Sequence, residues 1–150
     1  MQFDPDNTIV KLCIQAMDLE GEGKEEEALS LFQQAWQEAT SDFEKMIAAH
    51  YIARHQTLVT DKLKWDEKSL LLALTIADES IKEAYPSLYL NIAKCHEDLR
   101  DFKNANINYQ SALSFTSFLG DDGYGKMIKS GITSGLERVQ KTTDFDIKKF

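Results

Sequence analysis

One spacing of side chains is written twice in this chain. Ala28, Phe32 and Ala35 return 77 residues later as Ala105, Tyr109 and Ala112. Upstream, Leu12 and Ala16 answer to Tyr89 and Ala93. Intervals of three and four residues put each set on one face of a helix. A small residue on either side of a large one lets a second helix approach closely while the large side chain fills the gap. Recurrence of that pattern at a fixed offset predicts stacked helical hairpins. A single amphipathic hairpin cannot bury its apolar face alone, whereas stacked hairpins share a continuous core.

Only two prolines and seven glycines interrupt 150 residues, which leaves long stretches free to be helical. With 43% hydrophobic and 28% charged residues the chain reads as one soluble globular domain. Its formal charge of -8, from 17 basic and 25 acidic residues, disfavours a nucleic-acid backbone or an anionic membrane as partner. The densest apolar stretch, Leu70 to Ala77, is far shorter than a membrane span. Met1 to Asp6 shows neither the basic nor the apolar segment of a signal peptide. Cys13 and Cys95 fall among apolar helical neighbours, so buried, reduced thiols in the cytoplasm are expected.

Seven helices are expected, and no strand pattern competes with them. Asn7 caps the first, which runs to about Glu20 and is broken by Gly21 and Gly23. The second starts near Lys24, with Glu25, Glu26 and Glu27 in the turn that favours acid, and ends near Thr40. Ser41 and Glu44 have the spacing of a capping box for a third, from Asp42 to Leu58. Thr60 to Lys64 reads as a loop. Trp65 and Asp66 then open a fourth helix to about Ala84, with Leu70, Leu74 and Ala77 at packing positions. Pro86 suits the first turn of a fifth helix, to Leu99. Asp101 caps a sixth, Phe102 to Phe118. Gly120-Asp121-Asp122-Gly123 is a strong turn before a seventh from about Tyr124 to 140, and 141–150 reads as a loose tail.

The hairpin spacing resembles the tetratricopeptide repeat family, whose unit is a 34-residue helix-turn-helix. The resemblance spans about 9–140. It implies an all-α superhelix of about three hairpins (about 9–42, 43–85 and 86–119) plus a C-terminal capping helix (about 122–140). Leu12, Ala16 and Leu19, then Ala28, Phe32 and Ala35, take the family's positions in the first repeat. Tyr89, Ala93 and His96, then Ala105, Tyr109 and Ala112, take them in the third. The second, at 43 residues, carries about nine extra, which are expected before Trp65.

In this family the first helix of each hairpin lines a concave groove that holds peptides. Carried over position by position, that groove would contain Cys13, Met17, Glu44, Tyr51, Arg54, His55, Asn91, Lys94, Asp98, Asp121 and Tyr124. Aromatic stacking and amide hydrogen bonds would then hold an extended segment, with Arg54 and Lys94 available to a carboxylate. A lysine-asparagine clamp for a C-terminal carboxylate, known in some members, is not matched. Its positions hold Cys13, Met17, Ala48, Ser87 and Asn91, and only Asn91 fits.

No catalytic, metal or cofactor constellation is expected. His50 and His55 are five apart and turn off a common helical face. Cys95-His96 is likewise split between faces, and Cys13 would meet His50 only by chance of packing. Gly21-Glu22-Gly23-Lys24 lacks the strand, the glycine spacing and the Ser/Thr of a phosphate loop. Gly120 to Gly125 lacks the oxygen spacing of a calcium loop. Gly131 and Gly135 lie four apart on one helical face, which predicts close packing on the preceding hairpin. The leading reading is a cytoplasmic protein-interaction module that binds a peptide segment of a partner. The alternative is a scaffold that self-associates through the cap helix and Phe145, Ile147 and Phe150. A third, an enzyme or small-molecule binder using His50, Tyr51 and His55, lacks a nucleophile-base-orienter set.

Overall fold

A computed structural model describes residues 4–148, with side chains through residue 142. The described residues form seven α-helices and two short 3-10 helices, with no strand. The chain folds as two compact units, Met1–Asp78 and Glu79–Phe150.

The first unit is two helical hairpins. α1 (Thr8–Gly21) packs on α2 (Glu25–Glu38), and α3 (Asp42–Arg54) on α4 (Val59–Leu74). The Asn7 side chain accepts from the amides of Ile9 and Val10 at 2.8 and 3.0 Å and so starts α1. Ser41 and Glu44 form a reciprocal capping box at the start of α3. Gly23 closes the first turn at φ +78°, with the Lys24 amide bonded back to the Leu19 carbonyl. Ala16, Ala28, Phe32 and Ala35 are wholly enclosed, together with Ala48, Ala49 and Ala73.

The second unit holds α5 (Tyr85–Asp98), α6 (Phe102–Ser114) and α7 (Gly123–Lys148). Short 3-10 helices at Glu79–Glu83 and Thr116–Phe118 precede α5 and follow α6. Arg100 occupies the same place in its turn as Gly23 in the first hairpin. It adopts φ 63°, and the Asp101 amide bonds back to the His96 carbonyl. α7 lies against both α5 and α6 and buries Gly125, Ile128, Ile132, Gly135 and Val139 at three- and four-residue steps. The Asp122 carboxylate accepts from the Gly125 amide at 2.7 Å and caps that helix.

Several boundaries differ from the sequence expectation, and one difference moves the register. α4 begins at Val59, so Thr60 to Lys64 is helix rather than loop, and it ends at Leu74 rather than near Ala84. Helix starts then repeat cleanly. Thr8 to Asp42 and Glu25 to Val59 are each 34 residues, and Asp42 to Tyr85 and Val59 to Phe102 are each 43. The nine extra residues therefore follow α4, in the segment of the Glu79–Glu83 helix, and not before Trp65. Lys62, Asp66, Ser69 and Ala73 become the equivalents of Ala28, Phe32, Ala35 and Ala39. Asp66, Ser69 and Ala73 are buried, whereas Leu74, expected in the core, is 49% exposed. Ser69 is tolerated inside because its hydroxyl donates to the Met46 carbonyl at 2.9 Å. α3 stops at Arg54, short of Leu58, and α6 at Ser114, short of Phe118. α7 continues to Lys148, past the expected end near 140, because no glycine or proline follows Gly135 to stop it.

The second unit is pinned at Tyr109. Its ring is fully buried, and its hydroxyl donates to Glu97 Oε1 at 2.6 Å. Arg138 of α7 donates to the two oxygens of the same carboxylate at 2.8 and 3.1 Å. Burial alone would raise the Glu97 pKa, but the bonds from Arg138 and Tyr109 outweigh it and hold the carboxyl below its usual value. Gly131 and Gly135 of α7 make this approach feasible. A Cβ at Gly135 would lie 2.3 Å from the Tyr109 ring, and one at Gly131 3.2 Å from Leu90.

His50 is the odd member of the series. It occupies the position that Ala16 and Ala93 hold in the other first helices. Part of the residue meets solvent, but Nδ1 is buried without a hydrogen-bond partner. Burial, aided by the charge of Arg54, pushes its pKa from 6.5 down to about 4.

Three outcomes follow. Gly135→Ala gains helix propensity yet drives a methyl into a ring that has nowhere to go, for a net loss of about 2 kcal/mol in denaturant unfolding. Gly21→Ala, with nothing within 4 Å of the added carbon, gains about 0.5 kcal/mol in the same measurement. For His50 the unfolded chain binds a proton below pH 6.5 that the fold refuses until about pH 4. Stability therefore falls as pH drops through that window, by at most about 3 kcal/mol. Unfolding curves from pH 7 to 4.5 show this slope in the natural protein and a flatter one in His50→Ala.

Candidate functional site

The first unit presents an apolar depression between its two first helices. Val10 and Ile14, then Cys13 and Met17, are four-residue pairs on α1, and Ile47 and Tyr51 are such a pair on α3. These six side chains line it. Ile14 is 39% exposed, a branched aliphatic side chain left in water beside other apolar groups. Tyr51 is held flat against Phe32, with ring centroids 4.9 Å apart and planes at 12°. The Arg54 guanidinium covers the Tyr51 ring at 4.6 Å. Burial pushes the Cys13 thiol up to about 11, so it stays protonated and acts as an apolar surface rather than a nucleophile. Cys13 and Cys95 are both free and buried.

One end of this depression is closed by charge. Arg54 donates to Glu20 Oε1 at 2.7 Å. His55 lies between two acids, with Nε2 2.9 Å from Glu20 and Nδ1 3.2 Å from Glu25. Glu20, Glu25 and His55 are the one group of three metal-capable side chains among the described residues. Arg54 and His55 already face these two carboxylates, and the cluster ties α1, α2 and α3 together.

The eleven residues expected in the groove divide accordingly: Cys13 and Met17 line this depression, and Asp121 is exposed just before α7. Tyr51, Arg54 and His55 come together at this depression. Glu44 sits at the far end of α3, where its oxygens accept from Asn7, Thr40 and Ser41. Those bonds lower its pKa, Thr40 contributing most, and mark a capping role. Asn91, Lys94, Asp98 and Tyr124 belong to the second unit. Lys94 is paired with Asp98 one turn along α5, and Asn91 is partly exposed three residues before Lys94. Tyr124 is 54% exposed at the start of α7. Sequence reasoning passed over Val10, Ile14 and Ile47, and the acids Glu20 and Glu25. Ile47 was findable as the residue 34 after Cys13; nothing local marks Glu25 as a neighbour of His55.

No helix among the described residues is long and apolar enough to cross a membrane. No family model matches the chain, and comparison with curated proteins finds no match. Its fold is similar to the crystal structure of PcrH from Pseudomonas aeruginosa, with a TM-score of 0.66 at 16% identity. That likeness covers 93% of this chain and 96% of the PcrH chain. With the hairpins and spacings above, it makes this an all-α, tetratricopeptide-like helical-repeat fold.

Proposed function

We propose that the protein is a protein-interaction module that holds a segment of a partner against the first helices of its hairpins. The observation that carries this reading is the exposure of Ile14, 39%, beside the partly exposed Met17 and Tyr51 at the rim of the α1–α3 depression. Leaving Ile14 and part of Met17 in water has a cost that a partner's apolar side chain removes. The arginine and histidine at its end are engaged with Glu20 and Glu25, so the contact is chiefly apolar and aromatic, with Arg54 and His55 as its rim. In the second unit, taken by itself, Asn91, Lys94, Asp98 and Tyr124 are the residues proposed to contact a partner. The reading contains no catalytic step. Among its earlier candidates, His50 is largely enclosed, Tyr51 is stacked on Phe32, and His55 is flanked by two carboxylates.

Ile14→Glu and Met17→Glu place a charge in the depression without disturbing the core. Quantitative capture of a partner from native lysate is expected to fall about tenfold with either variant, at an unchanged melting temperature. Gln33→Glu, on the exposed side of α2, leaves capture intact. Undiminished capture by Ile14→Glu refutes the reading.

Self-association through α7 keeps one supporting observation, the exposure of Tyr124 and of Met127, the latter 61% exposed. The side chains of Phe145 and Ile147, and all of Phe150, lie outside the described residues. Sedimentation at two concentrations decides it: a mass that rises with concentration and reverts in Met127→Glu supports it, and a persistent monomer rejects it.

A further inference from the structure

Trp36 of α2 and Trp65 of α4 meet edge to face, with ring centroids 5.1 Å apart and planes at 88°. The Lys68 ammonium lies over both indoles, 4.3 Å from the centroid of Trp65 and 5.3 Å from that of Trp36. Both indoles are partly exposed, and the lysine is exposed. No ion pair of Lys68 occurs among the described residues, so the two rings are what hold its charge. Neither tryptophan belongs to the enclosed core.

Two aromatic faces at right angles around an ammonium make the arrangement by which proteins bind organic cations. Here the chain supplies the cation itself, from a flexible side chain one turn beyond Trp65. A bare ammonium is strongly hydrated and, with no carboxylate beside it, gains little from the rings. A methylated ammonium carries the same charge, gives up less hydration and covers more of the indole surface. The net charge of -8 favours the approach of a cationic segment.

We propose that Trp36 and Trp65 form a binding site for a methylated lysine side chain of a partner protein, and that Lys68 occupies the site until such a side chain displaces it. The site lies on α2 and α4, and it stands whether or not the α1–α3 depression holds a partner.

Trp36 and Trp65 are the only two tryptophans of the chain, so intrinsic fluorescence reports on this site alone. The full chain is titrated with N-acetyl-trimethyllysine amide, with its neutral tert-butyl isostere and with choline. Titrations are repeated in Lys68→Ala and in Lys68→Gln, which keeps most of the side-chain length, with helical circular dichroism as the check on folding. The expected result is a saturable change with trimethyllysine whose midpoint is about fivefold lower in both Lys68 variants than in the natural protein. The isostere gives no saturable change, and Trp65→Leu in the Lys68→Ala background abolishes the response of Trp36. Equal midpoints with and without Lys68 overturn the proposal. So does a linear response matching that of free N-acetyltryptophanamide, or an isostere as effective as the cation. Saturation by choline alone overturns the assignment to a protein partner.

Discussion

A ring can be buried between helices only where the facing residue gives up its bulk, and that trade sets the register of the first and third hairpins. Phe32 lies wholly enclosed with Ala28 and Ala35 beside it, and Tyr109 lies wholly enclosed against the bare backbone of Gly135. Once those positions face inward, helical geometry assigns the rest. Cys13 and Ile47, three residues before Ala16 of α1 and His50 of α3, turn toward the apolar depression. Trp36, one residue past Ala35, turns away from the enclosed core. The surfaces that can meet a partner are thus by-products of where the rings sit.

Polar groups are admitted to this packing only when satisfied. Tyr109 brings a hydroxyl into the second unit, and Glu97 and Arg138 complete its bonding across α5, α6 and α7. Burial and the neighbouring carboxylate both raise the phenol's pKa, so it remains a donor. Arg138 forks onto both oxygens of Glu97, a geometry that lysine cannot reproduce. A neutral replacement of Glu97 would leave Arg138 and the tyrosine hydroxyl competing for solvent, a greater penalty than the loss of one bond. His50 departs from this rule, because its Nδ1 has no partner and its charge is refused instead.

The sequence displayed the fold through residues whose burial needs no help. Alanines and aromatic rings at three- and four-residue steps located α1, α2, α5 and α6, and Asn7, Ser41 and Asp101 marked helix starts. α4 misled because its inward positions are polar. Asp66 stands where the other hairpins carry Phe32 and Tyr109, and Ser69 stands where they carry Ala35 and Ala112. A search for apolar residues therefore slid to Leu70 and Leu74, which lean outward, and displaced the insertion from one end of the helix to the other. Only the Ser69–Met46 hydrogen bond explains why that serine lies inside, and it joins residues 23 positions apart. The depression was half legible. Cys13, Met17 and Tyr51 followed from hairpin position, whereas the commitment of Arg54 and His55 to Glu20 and Glu25 depends on three helices meeting.

That commitment changes what kind of selectivity the first unit can have. Had Arg54 and His55 been free, a carboxylate or an extended backbone would have been the natural occupant. With both engaged, a polar ligand must displace the Glu20 and Glu25 carboxylates before it gains contacts of its own. An apolar side chain meets no such competition, because water is all it displaces from Ile14 and Met17. The same logic runs the other way at Trp36 and Trp65, where rings are available and the occupant, Lys68, is held by nothing stronger than they are. Under the two proposals above, the first unit would sort ligands by face: bulk and apolarity between α1 and α3, cationic character over the indoles of α2 and α4.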